Sequence, residues 1–122
     1  MKKIAIALLS LVLSANLIFA QDAKVLQLEQ TTGEFTIKEL TVSPGEYIFE
    51  VSNNGVDHEI GLVVAPEGKT DQANHIQEAY LKETVKEGKS ATSNVVNLTA
   101  GTYVYFCPLN PTPQYKLIVK EE

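Results

Sequence analysis

After residue 20 the chain is dominated by short runs in which apolar and polar residues alternate. Each run closes at Gly, Pro, Asn or Asp, which is the signature of half-buried β-strands joined by tight turns. Strands are predicted over 25–28, 35–42, 47–51, 58–65, 95–98, 102–107 and 115–120. Within 35–42, Phe35, Ile37 and Glu39 share one side and Thr36 and Lys38 the other. Tyr47, Phe49 and Val51 share a face, as do His58, Ile60, Leu62 and Val64. Thr32-Gly33, Ser43-Pro44-Gly45, Asn53-Asn54-Gly55, Pro66-Glu67-Gly68 and Ala100-Gly101 supply the turns. One interval breaks the pattern. Residues 71–86 carry Ala73, Ile76, Ala79, Tyr80 and Val85 near helical spacing, with Thr70 or Asp71 to cap the start and Gly88 to end it. The expectation is an all-β fold, a Greek-key β-sandwich with one inserted helix; a barrel is the alternative.

The first twenty residues do not belong to that pattern. Lys2 and Lys3 precede an apolar run from Ile4 to Ile18, which ends in Phe19-Ala20 before the polar Gln21-Asp22. This order predicts a secretory signal peptide over 1–20, cut after Ala20, and a domain over 21–122. The run is too short for a good membrane anchor, so no stable membrane insertion is expected after its removal. Export places the domain outside the cytoplasm, in a periplasm-like compartment. Without Lys2 and Lys3, eight lysines face fifteen acidic residues, a net charge of −7 with no arginine at all. That balance excludes a nucleic-acid binder, which needs a basic footprint, and suits a basic protein partner. Asn97-Leu98-Thr99 matches a glycosylation acceptor but is expected to be inert in a bacterial-type export context.

Cys107 is the single cysteine, so no intramolecular disulfide can form. A lone thiol in an oxidising compartment needs burial, a metal or a redox role. Cys107 ends a strand and opens a proline-rich loop over 108–113, and His58 starts a strand 49 residues earlier. In a Greek key the two can meet at one end of the sandwich. A buried, inert thiol is the plain alternative. No third group that would orient a histidine base and no oxyanion loop is visible, so a Cys–His enzyme is not expected.

The stretch 42–59, VSPGEYIFEVSNNGVDHE, resembles the first ligand region of cupredoxins of the plastocyanin, pseudoazurin and amicyanin group. The stretch 100–108, AGTYVYFCP, is similar to their second region, and 115–120 to their closing strand. The resemblance implies a blue-copper scaffold with an electron-transfer or copper-carrier role and a redox or copper-trafficking partner. It implies His58 as the first imidazole ligand and Cys107 as the thiolate. The second imidazole, three residues after the cysteine, is replaced by Asn110, and no methionine stands in the ligand loop. Pro113 falls at the methionine position, and the adjacent Gln114 is a candidate axial ligand. Asn110 offers a hard oxygen, a poor substitute for imidazole, or a loop cap through backbone hydrogen bonds. Tyr115 is a ligand candidate or a packing aromatic. His75 is a solvated helix histidine unless the inserted helix folds over the site. Two strong ligands, Cys107 and His58, suit Cu(I), which accepts low coordination and soft sulfur. A metal-free binding module is the competing expectation.

Overall fold

The computed structural model describes residues 23–121. The expected leader over 1–20 lies outside them. Among the described residues the strands are β1 (Lys24–Thr31), β2 (Glu34–Phe35), β3 (Glu39–Val42), β4 (Gly45–Asn53), β5 (Val63–Pro66), β6 (Ser90–Leu98), β7 (Gly101–Phe106) and β8 (Tyr115–Val119). They form two four-stranded sheets, β2-β1-β4-β6 and β3-β8-β7-β5. The β1–β4 and β3–β8 pairs are parallel, and the remaining pairs are antiparallel. Both parallel pairs join strands distant in the chain, as a sandwich with crossing connections requires.

The period of two decides what fills the space between the sheets. Tyr47, Phe49 and Val51 of β4 are buried while Glu46, Ile48, Glu50 and Ser52 are not. Leu28, Val96 and Leu98 from the same sheet meet Val64, Tyr105, Leu117 and Val119 from the other. Phe35 packs edge-on against Tyr105, ring centroids 5.2 Å apart, and Tyr115 joins them at 5.8 Å from Phe35. Such edge contacts add to the area each ring removes from water. Tyr105 is wholly buried, and its hydroxyl donates to the Ile37 carbonyl at 2.6 Å. Burial holds its phenol neutral and pushes its pKa up to about 12, helped by Tyr115 and Glu39.

Three expected elements differ. The run 35–42 is not one strand: it breaks after Phe35, and β3 pairs with β8 in the opposite sheet. The strand expected over 58–65 is regular only from Val63; Ile60 makes an isolated bridge to Val85. The inserted helix is reduced to two 3₁₀ turns, Gln72–Asn74 and Gln77–Ala79. The reason lies in where the backbone groups of 76–85 find partners. Ile76 N–H donates to the Val64 carbonyl, Lys82 N–H to Thr92, and Val85 N–H to Ile60. The segment runs along the edges of both sheets, so these three N–H groups are spent on other parts of the chain, and only single 3₁₀ turns bond within the segment. Its apolar spacing is real, since Ala79 and Val85 are buried, but tertiary partners override the helix. Among the described residues no helix is long and apolar enough to cross a membrane.

Candidate functional site

Cys107 directly follows β7 and is 2 % exposed. Its sulfur accepts two backbone hydrogen bonds, from Gly61 N–H at 3.3 Å and from Asn110 N–H at 3.2 Å. Its own N–H donates to Thr112 Oγ1 at 3.1 Å, tying the ends of the 107–112 turn together. Two convergent donors suit an anionic sulfur better than a neutral one, because a charged acceptor strengthens each bond.

His58 reaches the same loop from the other side. Its Nε2 lies 2.9 Å from the Leu109 carbonyl, which can only accept, so Nε2 carries the proton. The other ring nitrogen, Nδ1, lies 3.3 Å from the Asp57 carboxylate, and the ring is about half exposed. Asn53, at the end of β4, fixes the chain that carries this histidine. Its Nδ2 donates to the His58 and Val85 carbonyls, both at 3.1 Å, and its Oδ1 accepts from Val56 N–H at 2.8 Å.

Asn110 is buried at 2 % exposure, and its amide is committed on every side. Oδ1 accepts from Gly33 N–H at 2.9 Å; Nδ2 donates to Gln30 Oε1 and to the Thr31 carbonyl, both at 3.0 Å. Gln30, wholly buried at the end of β1, donates in turn to the Gly61 carbonyl at 2.8 Å. The Asn110 side chain does bond backbone groups, but those of the turn after β1, 77 residues away in sequence, rather than of its own loop as expected. Gly33 adopts a positive φ of 77° there, which turns its N–H toward Asn110 at no steric cost to a residue without Cβ.

The candidate donors are thus unequal. Cys107 and His58 bracket one loop. Asn110 faces the β1 turn with no free acceptor of the kind an absent imidazole would supply. Gln114 is exposed, and Tyr115 packs with Phe35 and Tyr105. Among the described residues no three His, Cys, Asp or Glu side chains gather to hold a metal ion. A trigonal site of two imidazoles and a thiolate does not fit this donor set. His75 is not a solvated helix residue. Its Nε2–H donates to the Thr70 carbonyl at 2.9 Å, its Nδ1 accepts from Tyr80 Oη at 2.7 Å, and its ring sits edge-on to Phe106. It anchors the 70–80 segment to β7.

Gln30 and Asn53 carry much of this site and escape a reading of the sequence alone. Gln30 had a signal: it follows Leu26 and Leu28 at the period of two, so it lies on the buried face of β1. Asn53 continues Tyr47, Phe49 and Val51 in the same way on β4.

The fold is shared with solved blue copper proteins. Auracyanin A of Chloroflexus aurantiacus superposes with a TM-score of 0.63 at 20 % identity, over 79 % of this chain and 98 % of its own. Auracyanin of Roseiflexus castenholzii gives 0.63 at 16 %, over 81 % and 98 %. Amicyanin of Paracoccus versutus gives 0.53 at 19 %, over 81 % and 82 %. At these identities the likeness is one of fold. No curated protein sequence matches the chain. The family model of the Cupredoxin-like domain matches residues 3–119, nearly the whole sequence, and the chain belongs to that family.

Proposed function

We propose that this protein is an exported copper carrier that holds Cu(I) through the Cys107 thiolate, with His58 as the second donor. The observation that supports it is the pair of backbone N–H groups aimed at the Cys107 sulfur, on a loop that His58 also touches. A thiolate is a soft ligand, and Cu(I) accepts two-coordinate binding, so an incomplete donor set still serves. Electron transfer, the role the family suggests, asks for a geometry that suits both oxidation states, and a set with one imidazole fits that demand less well than it fits Cu(I) carriage. Asn110 and Gln114 stay outside the proposed ligand set, the first because its amide is spent, the second because it is exposed. To hold a metal through Nε2, His58 would have to give up its bond to Leu109 and carry its ring proton on Nδ1, beside Asp57.

Export rests on the leader pattern over 1–20. A basic partner fits the ground around His58: Asp57, Glu59 and Glu87 line, with Lys86, a shallow depression of about 360 Å³ beside the ring. A carrier would hand its metal to a trafficking partner across that acidic face.

A second reading, a metal-free binding module on the same scaffold, is favoured by the saturated Asn110 amide and by His58 being satisfied at Leu109. Anaerobic Cu(I) titration against a colorimetric competitor separates the two. The carrier binds one equivalent, Cys107→Ser binds none, and His58→Ala binds more weakly by about tenfold or more, a loss of at least about 1.4 kcal/mol. Wild type that binds no more tightly than Cys107→Ser would leave the metal-free module.

A further inference from the structure

We infer that Gln30 and Asn110 form a hydrogen-bonded lock that holds the Cys107 loop, and both N–H donors on its sulfur, in place without any metal. The contacts close a ring. Cys107 sulfur accepts from Gly61 N–H; the Gly61 carbonyl accepts from Gln30 Nε2; Gln30 Oε1 accepts from Asn110 Nδ2; and Asn110 N–H returns to the sulfur. Two side chains thus hold the two residues whose N–H groups face the thiolate. Gln30 holds Gly61 at its carbonyl, across the Cα from the N–H that meets the sulfur, and the Asn110 side chain holds its own residue by anchoring to Gln30, Thr31 and Gly33.

Both side chains are buried, at 0 % and 2 % exposure, so water cannot stand in for a lost partner. Buried networks that are fully satisfied rigidify what they touch. The ring joins three distant segments: the end of β1, the chain before β5, and the loop after β7. Gln30 and Asn110 are positioning residues: neither touches the sulfur through its side chain. The amide that stands where the resemblance puts an imidazole orders this loop from within, whether or not copper binds.

The test is made on metal-free protein in the presence of a copper chelator, so it stands or falls apart from the carrier reading. Amide hydrogen exchange at Gly61, Gly33 and Asn110 and the alkylation rate of Cys107 are measured for wild type, Gln30→Met, Asn110→Ala and the double variant. Each single variant is expected to raise exchange at Gly61 and Asn110 and alkylation of Cys107 by about tenfold or more, the effect of one buried polar group left unpaired. Distal amides in β3 and β8 keep their wild-type rates when global stability is matched by denaturant. The double variant exceeds the larger single by less than the product of the two, because the pair shares one bond. Gln30→Met retains the Thr31 and Gly33 contacts of Asn110, so it carries the test if Asn110→Ala does not fold. Gly61 and Asn110 rates within about twofold of wild type in Gln30→Met, or independent effects in the double variant, would overturn the lock.

Discussion

Asn53→Ala removes the side chain that holds the His58 segment, and the structure allows its cost to be worked out bond by bond. Asn53 is 2 % exposed and makes three side-chain hydrogen bonds. They are not equivalent. Val56 is 1 % exposed, and its N–H donates to Asn53 Oδ1 at 2.8 Å, so truncation leaves a buried donor unpaired. That costs about 1–3 kcal/mol. The Val85 carbonyl keeps its bond from Ile60 N–H, so its loss is about 0.5–1 kcal/mol. His58 is exposed, and water replaces Asn53 at its carbonyl at little cost. The sum is about 2–4 kcal/mol, or a fall in Tm of roughly 10–25 °C for a domain of this size. Urea unfolding followed by tyrosine fluorescence measures it, with the slope m expected unchanged because the same surface is exposed. A loss under about 1 kcal/mol would refute the reasoning, since it would mean that the Val56 N–H finds another partner.

Other changes probe other parts. Ser93→Ala should cost about 1–3 kcal/mol in the same assay. The register of β4 and β6 shifts between Ile48 and Glu50, and Ser93 Oγ is what accepts the buried Phe49 N–H there, at 3.0 Å. Tyr105 gives a pH dependence of known sign. Its pKa rises from 10.0 unfolded to about 12 folded, so its contribution is fully present below about pH 10 and is lost as pH climbs through 12. The stability advantage of wild type over Tyr105→Phe should therefore narrow between those values, and a constant difference would count against it. His75→Ala should destabilise by about 1–2 kcal/mol, by stranding Tyr80 and Thr70, and leave Cu(I) affinity unchanged. An equal loss of affinity from His75→Ala and His58→Ala would make the second histidine a ligand.

Most of the fold is legible because β4 and β8 obey the period of two without exception on their buried faces. The 71–86 segment misleads because periodicity reports burial, not hydrogen bonding. Ile76, Ala79 and Val85 are turned inward as a helix would turn them, yet the N–H groups of Ile76, Lys82 and Val85 bond Val64, Thr92 and Ile60. Nothing local in the sequence announces those partners. The break in 35–42 is hidden for a similar reason: the same alternation serves two sheets, and only the pairing of β3 with β8 reveals the switch. Of the candidate site, the placing of Cys107 and His58 is legible, because the resemblance puts both at one end of the sandwich and His58 meets the loop after Cys107 at Leu109. The lock is not visible, because a polar residue at a buried strand position, such as Gln30, has no meaning until its partner 80 residues away is known.

Asn110→His would restore the side chain that the blue-copper pattern lacks, and it should not restore a blue site. The Asn110 amide makes three bonds at once, accepting one and donating two. A neutral imidazole offers one donor and one acceptor, set apart by a rigid ring. In the present cavity it must leave at least one of Gln30 Oε1, the Thr31 carbonyl and Gly33 N–H unpaired, and Gln30 is wholly buried. To turn toward Cys107 as a ligand it must abandon all three. The penalty, about 2–4 kcal/mol, falls on the metal-free protein before any copper is added. The single variant is therefore expected to be less stable by that amount and to give no intense visible band with Cu(II). Replacing Gln30 by an apolar residue at the same time removes one of the partners left behind and should recover part of the stability. An intense thiolate-to-copper band from Asn110→His alone, at wild-type stability, would mean that the amide network is incidental. It would also mean that one substitution, rather than a rebuilt loop, separates this chain from a blue copper protein.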